Sequence, residues 1–382
     1  MMRKSIGSLC EILNGFAFKS SEYVQKGTRI IKITNVQKGV VVDDDPKYYP
    51  DAAMRSLASY SLRENDLLMS LTGNVGRVGI LPKEMLPAAL NQRVACLRIR
   101  DDNVLLRYLF YCLNSDFFEK AAISSASGIA QKNMSTRWLE QFEIPVPSLS
   151  DQRRIVDELD LLSCIIEKKN AQLRTLDELA STIFYEMFGD PVSNEKGWAT
   201  RKMKDVAPQK VYHGNIPSSD GKYWLLNLDM VESQTGRVIE KVLFTPDEIG
   251  NSTTTFNEDN VLYSKLRPYL NKVVVPDEPG YCTSELVPLL PNKGIVNRIF
   301  LAYLLRSKFF VEYISARVAG AKMPRVTMSD FREFDIIIPP LKLQESFAER
   351  ISTLDKQKSI INASLPSSEN LLASRMDKYF NE

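Results

Sequence analysis

The side chains best suited to chemistry in this sequence are amides and cations gathered in short polar stretches. Asn74 and Arg77 lie in Thr72-Gly73-Asn74-Val75-Gly76-Arg77, where small residues let a partner approach the backbone closely. Asn91-Gln92-Arg93 sets two amides beside a guanidinium, the groups that match adenine and guanine edges. Gln131 and Lys132 belong to a glycine-containing polar run at 127–133. In the second half, Lys265, Arg267 and Tyr269 interleave cations with an aromatic ring, and Lys322 and Arg325 flank Met323-Pro324. Cations neutralise phosphate, while paired donors and acceptors read bases. Each stretch alone reads as a solvated loop. Recurrence at matched places in both halves moves the group toward nucleic-acid recognition.

Signals for catalysis are weak by comparison. His213 is the only histidine, so a Ser-His-Asp triad is conceivable only around it and a histidine-rich metal site is excluded. The cysteines Cys10, Cys96, Cys112, Cys164 and Cys282 form no CxxC pair and read as buried free thiols of a reducing compartment. Gly73-Asn74-Val75-Gly76-Arg77-Val78-Gly79 lacks the GxGxxG order of a dinucleotide cradle, and no GxxxxGK[ST] phosphate loop occurs. Ile338-Pro339-Pro340-Leu341 lacks the polar residue of the Asn-Pro-Pro-aromatic element of amino-methyltransferases. The acids Asp43-Asp44-Asp45 and Glu258-Asp259 read as solvated turns sooner than as a magnesium site. The expectation is therefore no cofactor and no metal in this chain.

These candidate groups must be held by something, and the element that organises the chain is a long helix over 150–189. Ile155, Leu159, Leu162, Ile166, Leu173, Leu176, Ala180, Ile183 and Met187 recur at spacings of three and four, with Lys169 in the one gap. That is a heptad-like seam, roughly 55–60 Å long, which wants a second helix along it. Glu158, Asp177 and other charges lie off the seam, as on a solvated face. Gly189 and Pro191 close it.

Sliding the chain by 192 residues brings out an internal repeat. Gly128 falls on Gly320, Phe142 on Phe334, Pro147 on Pro339, Gln152 on Gln344 and Ile155 on Phe347. With a two-residue gap, Glu64, Leu68 and Ser70 fall on Glu258, Leu262 and Ser264. Each repeat runs from strand-like segments (roughly 1–100 and 196–293) to a helical stretch (103–123; 295–318). A glycine loop (127–135; 319–327), a short proline-bearing strand and a long helix complete it. The second long helix is weaker, with Pro366 inside it and Lys358, Ser368 and Arg375 on its seam, so a kink or break is expected at 365–368. Residues 190–200 read as a linker. The fold expected is α+β, with an approximate two-fold repeat and the helices paired antiparallel. Its segments are 1–148, 149–190, 191–340 and 341–382. An intermolecular coiled coil is the alternative.

At 382 residues, 44 % hydrophobic and 25 % charged, the composition is that of an ordinary soluble protein of two or three domains. No apolar run follows Met1-Met2-Arg3-Lys4, so a cytoplasmic location is expected. With a net charge of +2, nucleic-acid binding has to come from local patches.

The ordered motifs resemble the specificity (S) subunits of Type I restriction–modification enzymes along essentially the whole chain. The strongest are Phe142-Glu143-Ile144-Pro145-Val146-Pro147-Ser148-Leu149-Ser150-Asp151-Gln152 and its second copy, Phe334-Asp335-Ile336-Ile337-Ile338-Pro339-Pro340-Leu341-Lys342-Leu343-Gln344. Ser70-Leu71-Thr72-Gly73-Asn74-Val75-Gly76-Arg77, Asn91-Gln92-Arg93 and Trp224-Leu225-Leu226-Asn227-Leu228-Asp229-Met230 also look family-like. The resemblance implies a non-catalytic subunit whose two target recognition domains each read half of a split duplex DNA site. It implies helices that set the spacing and dock modification (methyltransferase) subunits, which carry the S-adenosylmethionine, with restriction (translocase–nuclease) subunits as further partners. Two other readings stand beside it. A methyltransferase or nuclease with its own active site would show cofactor- or metal-dependent activity, and a coiled-coil adaptor would not bind duplex DNA.

Overall fold

The computed structural model describes residues 3–126, 132–320 and 322–381. The chain divides into two compact units, residues 1–169 with 363–382 and residues 170–362. The division falls inside the long helices Leu149–Phe188 and Leu341–Phe380, so each unit owns half of each helix.

In the first unit the run Leu67–Ser70 is buried at every residue, because apolar groups cover both faces of its sheet. Leu67 and Met69 join the core that holds Tyr108, Phe118, Ile155 and Phe380. Leu68 turns the other way, toward Ile31, Leu90 and Cys96. The sheet runs Cys10–Asn14, Val94–Ile99, Leu67–Ser70, Val78–Ile80, all antiparallel. A second sheet sets Thr28–Ile31 between Tyr48–Tyr49, antiparallel, and Ala88–Leu90, parallel. Arg3–Ser5 pairs with the proline-bearing strand Glu143–Pro145.

The second unit repeats this plan. Val261–Ser264 lies between Val273–Val274 and Leu286–Leu289. Tyr223–Leu226 pairs antiparallel with Leu243–Phe244 and parallel with Gly280–Thr283. Ala199–Lys202 pairs with Asp335–Ile338. That pairing shortens the expected linker, since Ala199 already belongs to a strand and the Trp198 indole donates to the Phe188 carbonyl at 2.9 Å. The ends of the expected 319–327 loop belong to strands, Val318–Ala319 paired with Arg325–Val326.

Each expected single helical stretch is two helices, Leu106–Leu113 with Asp116–Ser125, and Arg298–Arg306 with Lys308–Ser315. The reason is a serine N-cap at matched positions. Ser115 Oγ accepts from Phe118 N and Ser307 Oγ from Phe310 N, both at 3.3 Å.

The repeat is most sharply expressed at two buried glutamines on the long helices. Gln152 accepts from Leu105 N at 2.9 Å and donates to the carbonyls of Asn103 (2.8 Å) and Pro147 (2.9 Å). Gln344 accepts from Asn297 N at 2.8 Å and donates to Ile295 (3.1 Å) and Pro339 (2.8 Å). Every partner sits at the same offset, and both side chains are fully buried.

Within each unit the helix segments run antiparallel and belong to one chain. In the first unit Glu158 meets Arg375 and Tyr379, while Lys169 donates to the Ser364 carbonyl (3.0 Å) and Ser368 Oγ (2.8 Å). In the second, Asp177 pairs with Lys358 at 2.6 Å. The polar groups on the seam are thus one another's partners, and Glu158 and Asp177, expected on a solvated face, remain partly solvated but pair across to the second helix. The helix carries on through Pro366 without a break. At its far end the buried stripe is Ala180, Phe184, Phe188, with Ile183 and Met187 only half-buried beside it. There the helix meets the unit's core, where Phe184 and Phe188 pack on Phe300 and Phe347. Four of the five free cysteines are buried, but Cys164 is half-exposed on the helix.

Candidate nucleic-acid interface

The candidate residues gather where three segments of each unit are laced by the same backbone hydrogen bonds. In the first unit Leu71 N donates to Arg93 O (3.0 Å), Met134 N to Leu71 O (2.8 Å) and Gly73 N to Lys132 O (2.9 Å). In the second, Lys265 N donates to Glu285 O (3.0 Å), Val326 N to Lys265 O (2.8 Å) and Arg267 N to Pro324 O (2.7 Å). The turns also close alike, with Ser70 N on Arg77 O and Ser264 N on Lys272 O, both 3.0 Å. Thr72 bridges Asn133 as Leu266 bridges Arg325. The buried hydroxyls of Ser70 and Ser264 brace these turns, donating to the Asn74 carbonyl (2.5 Å) and the Leu266 carbonyl (3.0 Å).

On this shared junction the exposed side chains differ. In the first unit Gln92, Arg93 and Lys132 are exposed, and their side chains take no partner among the described residues. Arg77 is held: it donates to Gln37 Oε1, and with the Asn74 amide turned so that its oxygen faces the guanidinium, that oxygen accepts from the two Nη atoms at 3.3 and 3.1 Å. Asn91 is half-buried and pinned through its backbone, N to Ile31 O at 3.2 Å. Gly15 runs so close that an added Cβ would meet Asn91 O at 2.1 Å. Gln131 lies outside the described residues.

In the second unit Arg267 and Lys322 are exposed, Lys265 is half-buried, and Tyr269 is 50 % exposed. Arg325 forms an ion pair with Glu285, Nη2 to Oε1 at 3.0 Å and Nε to Oε1 at 3.2 Å. The Glu285 hydrogen bond raises its guanidinium above the ordinary value. Two members of the junction escaped sequence reasoning, Glu285 and Gln37. Glu285 was findable, since it stands at the repeat offset from Arg93. Gln37, 40 residues from Arg77, carries no local signal.

Among the described residues the arrangement offers amide and guanidinium donors, lysine cations and, in the second unit, the Glu285 carboxylate. Burial pushes the thiols of Cys10, Cys112 and Cys282 up to about 12, well away from reactivity. No group of three or more metal-ligating side chains occurs among the described residues. No helix among them is long and apolar enough to cross a membrane.

A family model described as the Type I restriction modification DNA specificity domain matches residues 1–175 and again 195–368. This chain belongs to that family. The two matches fall one on each repeat. The Type I restriction enzyme EcoBI specificity subunit of Escherichia coli is 28 % identical over 55 % of this chain and 42 % of its own length. The MjaVIII specificity subunit of Methanocaldococcus jannaschii is 27 % identical over 45 % and 42 %. These alignments span less than half of either relative. The StySPI specificity subunit of Salmonella potsdam is 20 % identical over 98 % of this chain and 87 % of its own. Among solved structures, the Type I restriction-modification S subunit from M. genitalium superposes with a TM-score of 0.60 at 15 % identity, covering 99 % of this chain and 96 % of that one. That likeness concerns the fold.

Proposed function

We propose that this chain is the DNA-specificity subunit of a Type I restriction–modification system, each unit reading one half of a bipartite duplex target. The observation that carries this reading is the duplicated junction, one backbone scaffold presenting different donors, acceptors and cations in its two copies. A scaffold that stays fixed while its exposed groups change is what two readers of unlike half-sequences require. In this reading the chain performs no chemistry itself. Methyl transfer belongs to modification subunits that bring S-adenosylmethionine, cleavage belongs to restriction subunits, and the complex works in the cytoplasm. The test is methylation mapping of a host genome with and without the gene, co-expressed with its modification subunit. The expected result is a split sequence methylated only when the gene is present. Methylation of an unsplit sequence, or activity of the purified chain alone, would contradict the reading.

A further inference from the structure

The two junctions carry different charges at matched positions. Where the first unit has Arg93 and Asn133, the second has Glu285 and Arg325, on the same backbone hydrogen bonds. A carboxylate is the wrong group to set against phosphate, so Glu285 does not belong to a backbone-contacting patch. It is, however, an acceptor for the cytosine N4 amine, and the arginine fork beside it fits guanine O6 and N7. Both edges lie on one G·C pair in the major groove. The Glu285 side chain is 23 % exposed and that of Arg325 47 %, and the fork is bound through Nε and Nη2 to Glu285, leaving Nη1 uncommitted among the described residues.

Arg267 adds to the picture. Its backbone is left-handed, φ 50° and ψ 65°, where the first unit has Gly73 at φ 71°. A side chain other than glycine is strained there. Yet the arginine is exposed and takes no partner among the described residues, and a Cβ built at Gly73 meets nothing within 4 Å. The position faces open space in the first unit and carries a free cation in the second.

Resting on the proposed function, we infer that the Glu285–Arg325 pair is the specificity-determining element of the second unit and recognises one G·C base pair. Arg267 supplies the neighbouring phosphate contact. Preformed pairing orders the Arg325 fork before DNA arrives, so less freedom is lost on binding.

The experiment uses the assembled complex with its modification subunit and reads genome-wide methylation. Glu285→Gln, nearly isosteric, should relax a G·C requirement at one position of one half-site by roughly tenfold or more. The double exchange Glu285→Arg with Arg325→Asn, which installs the first unit's pair, should alter the same position and leave the other half intact. Arg267→Gly should lower methylation of all targets alike without changing the sequence. An unchanged target with uniformly weaker methylation in both Glu285 variants would overturn the inference, as would a change in both halves. If the wild-type complex methylates no split sequence, the functional reading itself fails, a result distinct from either.

Discussion

At the scale of single residues, a lysine ammonium and an arginine fork do different work at a DNA surface. Lys132 and Lys322 are exposed and unpaired among the described residues, and a point charge on a flexible stem suits phosphate better than bases. Lys132→Ala and Lys322→Ala should each weaken binding to target and scrambled duplex equally and flatten the salt dependence by about one unit. A salt titration of the assembled complex on both duplexes measures this, and unchanged binding would place these side chains away from DNA. The structure changes the expectation for Arg77. By type its fork suits guanine O6 and N7, but the backbone hydrogen bonds match it with Lys272, and Gln37 and the turned Asn74 amide take up its Nη donors. Sequence reveals residue types and local spacing, so the polar stretches were legible. It does not reveal which donors are consumed by distant partners, so Gln37 carries no signal there, whereas Glu285 is reachable through the repeat offset from Arg93.

Elements were more legible than contacts, for a physical reason. A seam with spacings of three and four can be read from one helix alone, and both long helices begin at the expected glutamine-bearing turns, at Leu149 and Leu341. What crosses from one helix to the other is invisible to periodicity. Lys358, Ser368 and Arg375 looked like flaws until Asp177, Lys169 and Glu158 proved to face them. Polar pairs on a seam fix register at some cost in stability. Lys358→Met removes one partner and leaves the Asp177 carboxylate against an apolar side chain, so it should destabilise the protein by about 1 kcal/mol, a modest cost because Asp177 stays partly solvated. Adding Asp177→Leu should recover much of that loss, and a double-mutant cycle of urea midpoints gives the coupling. The buried glutamines matter more. Gln152→Leu strands the Leu105 N–H and the carbonyls of Asn103 and Pro147, with an expected cost of roughly 2–4 kcal/mol. Gln344→Leu should behave the same way, as thermal unfolding would show. A loss below 0.5 kcal/mol would mean water replaces the amide.

On the scale of the whole molecule, two units built on one plan carry different exposed chemistry, and that divergence within a repeated scaffold is the core of the account. Segments 10–140 and 200–330 hold nearly all the exposed junction groups, whereas Gln152 and Gln344 anchor each unit to its helix by identical bonds. Recognition should then be modular. The most direct measurement is methylation mapping of a complex whose residues 200–330 are replaced by the equivalent segment of a family member with a different target. The account predicts that one half of the methylated sequence changes and the other is preserved base for base. A folded chimera that alters both halves, or neither, would contradict it.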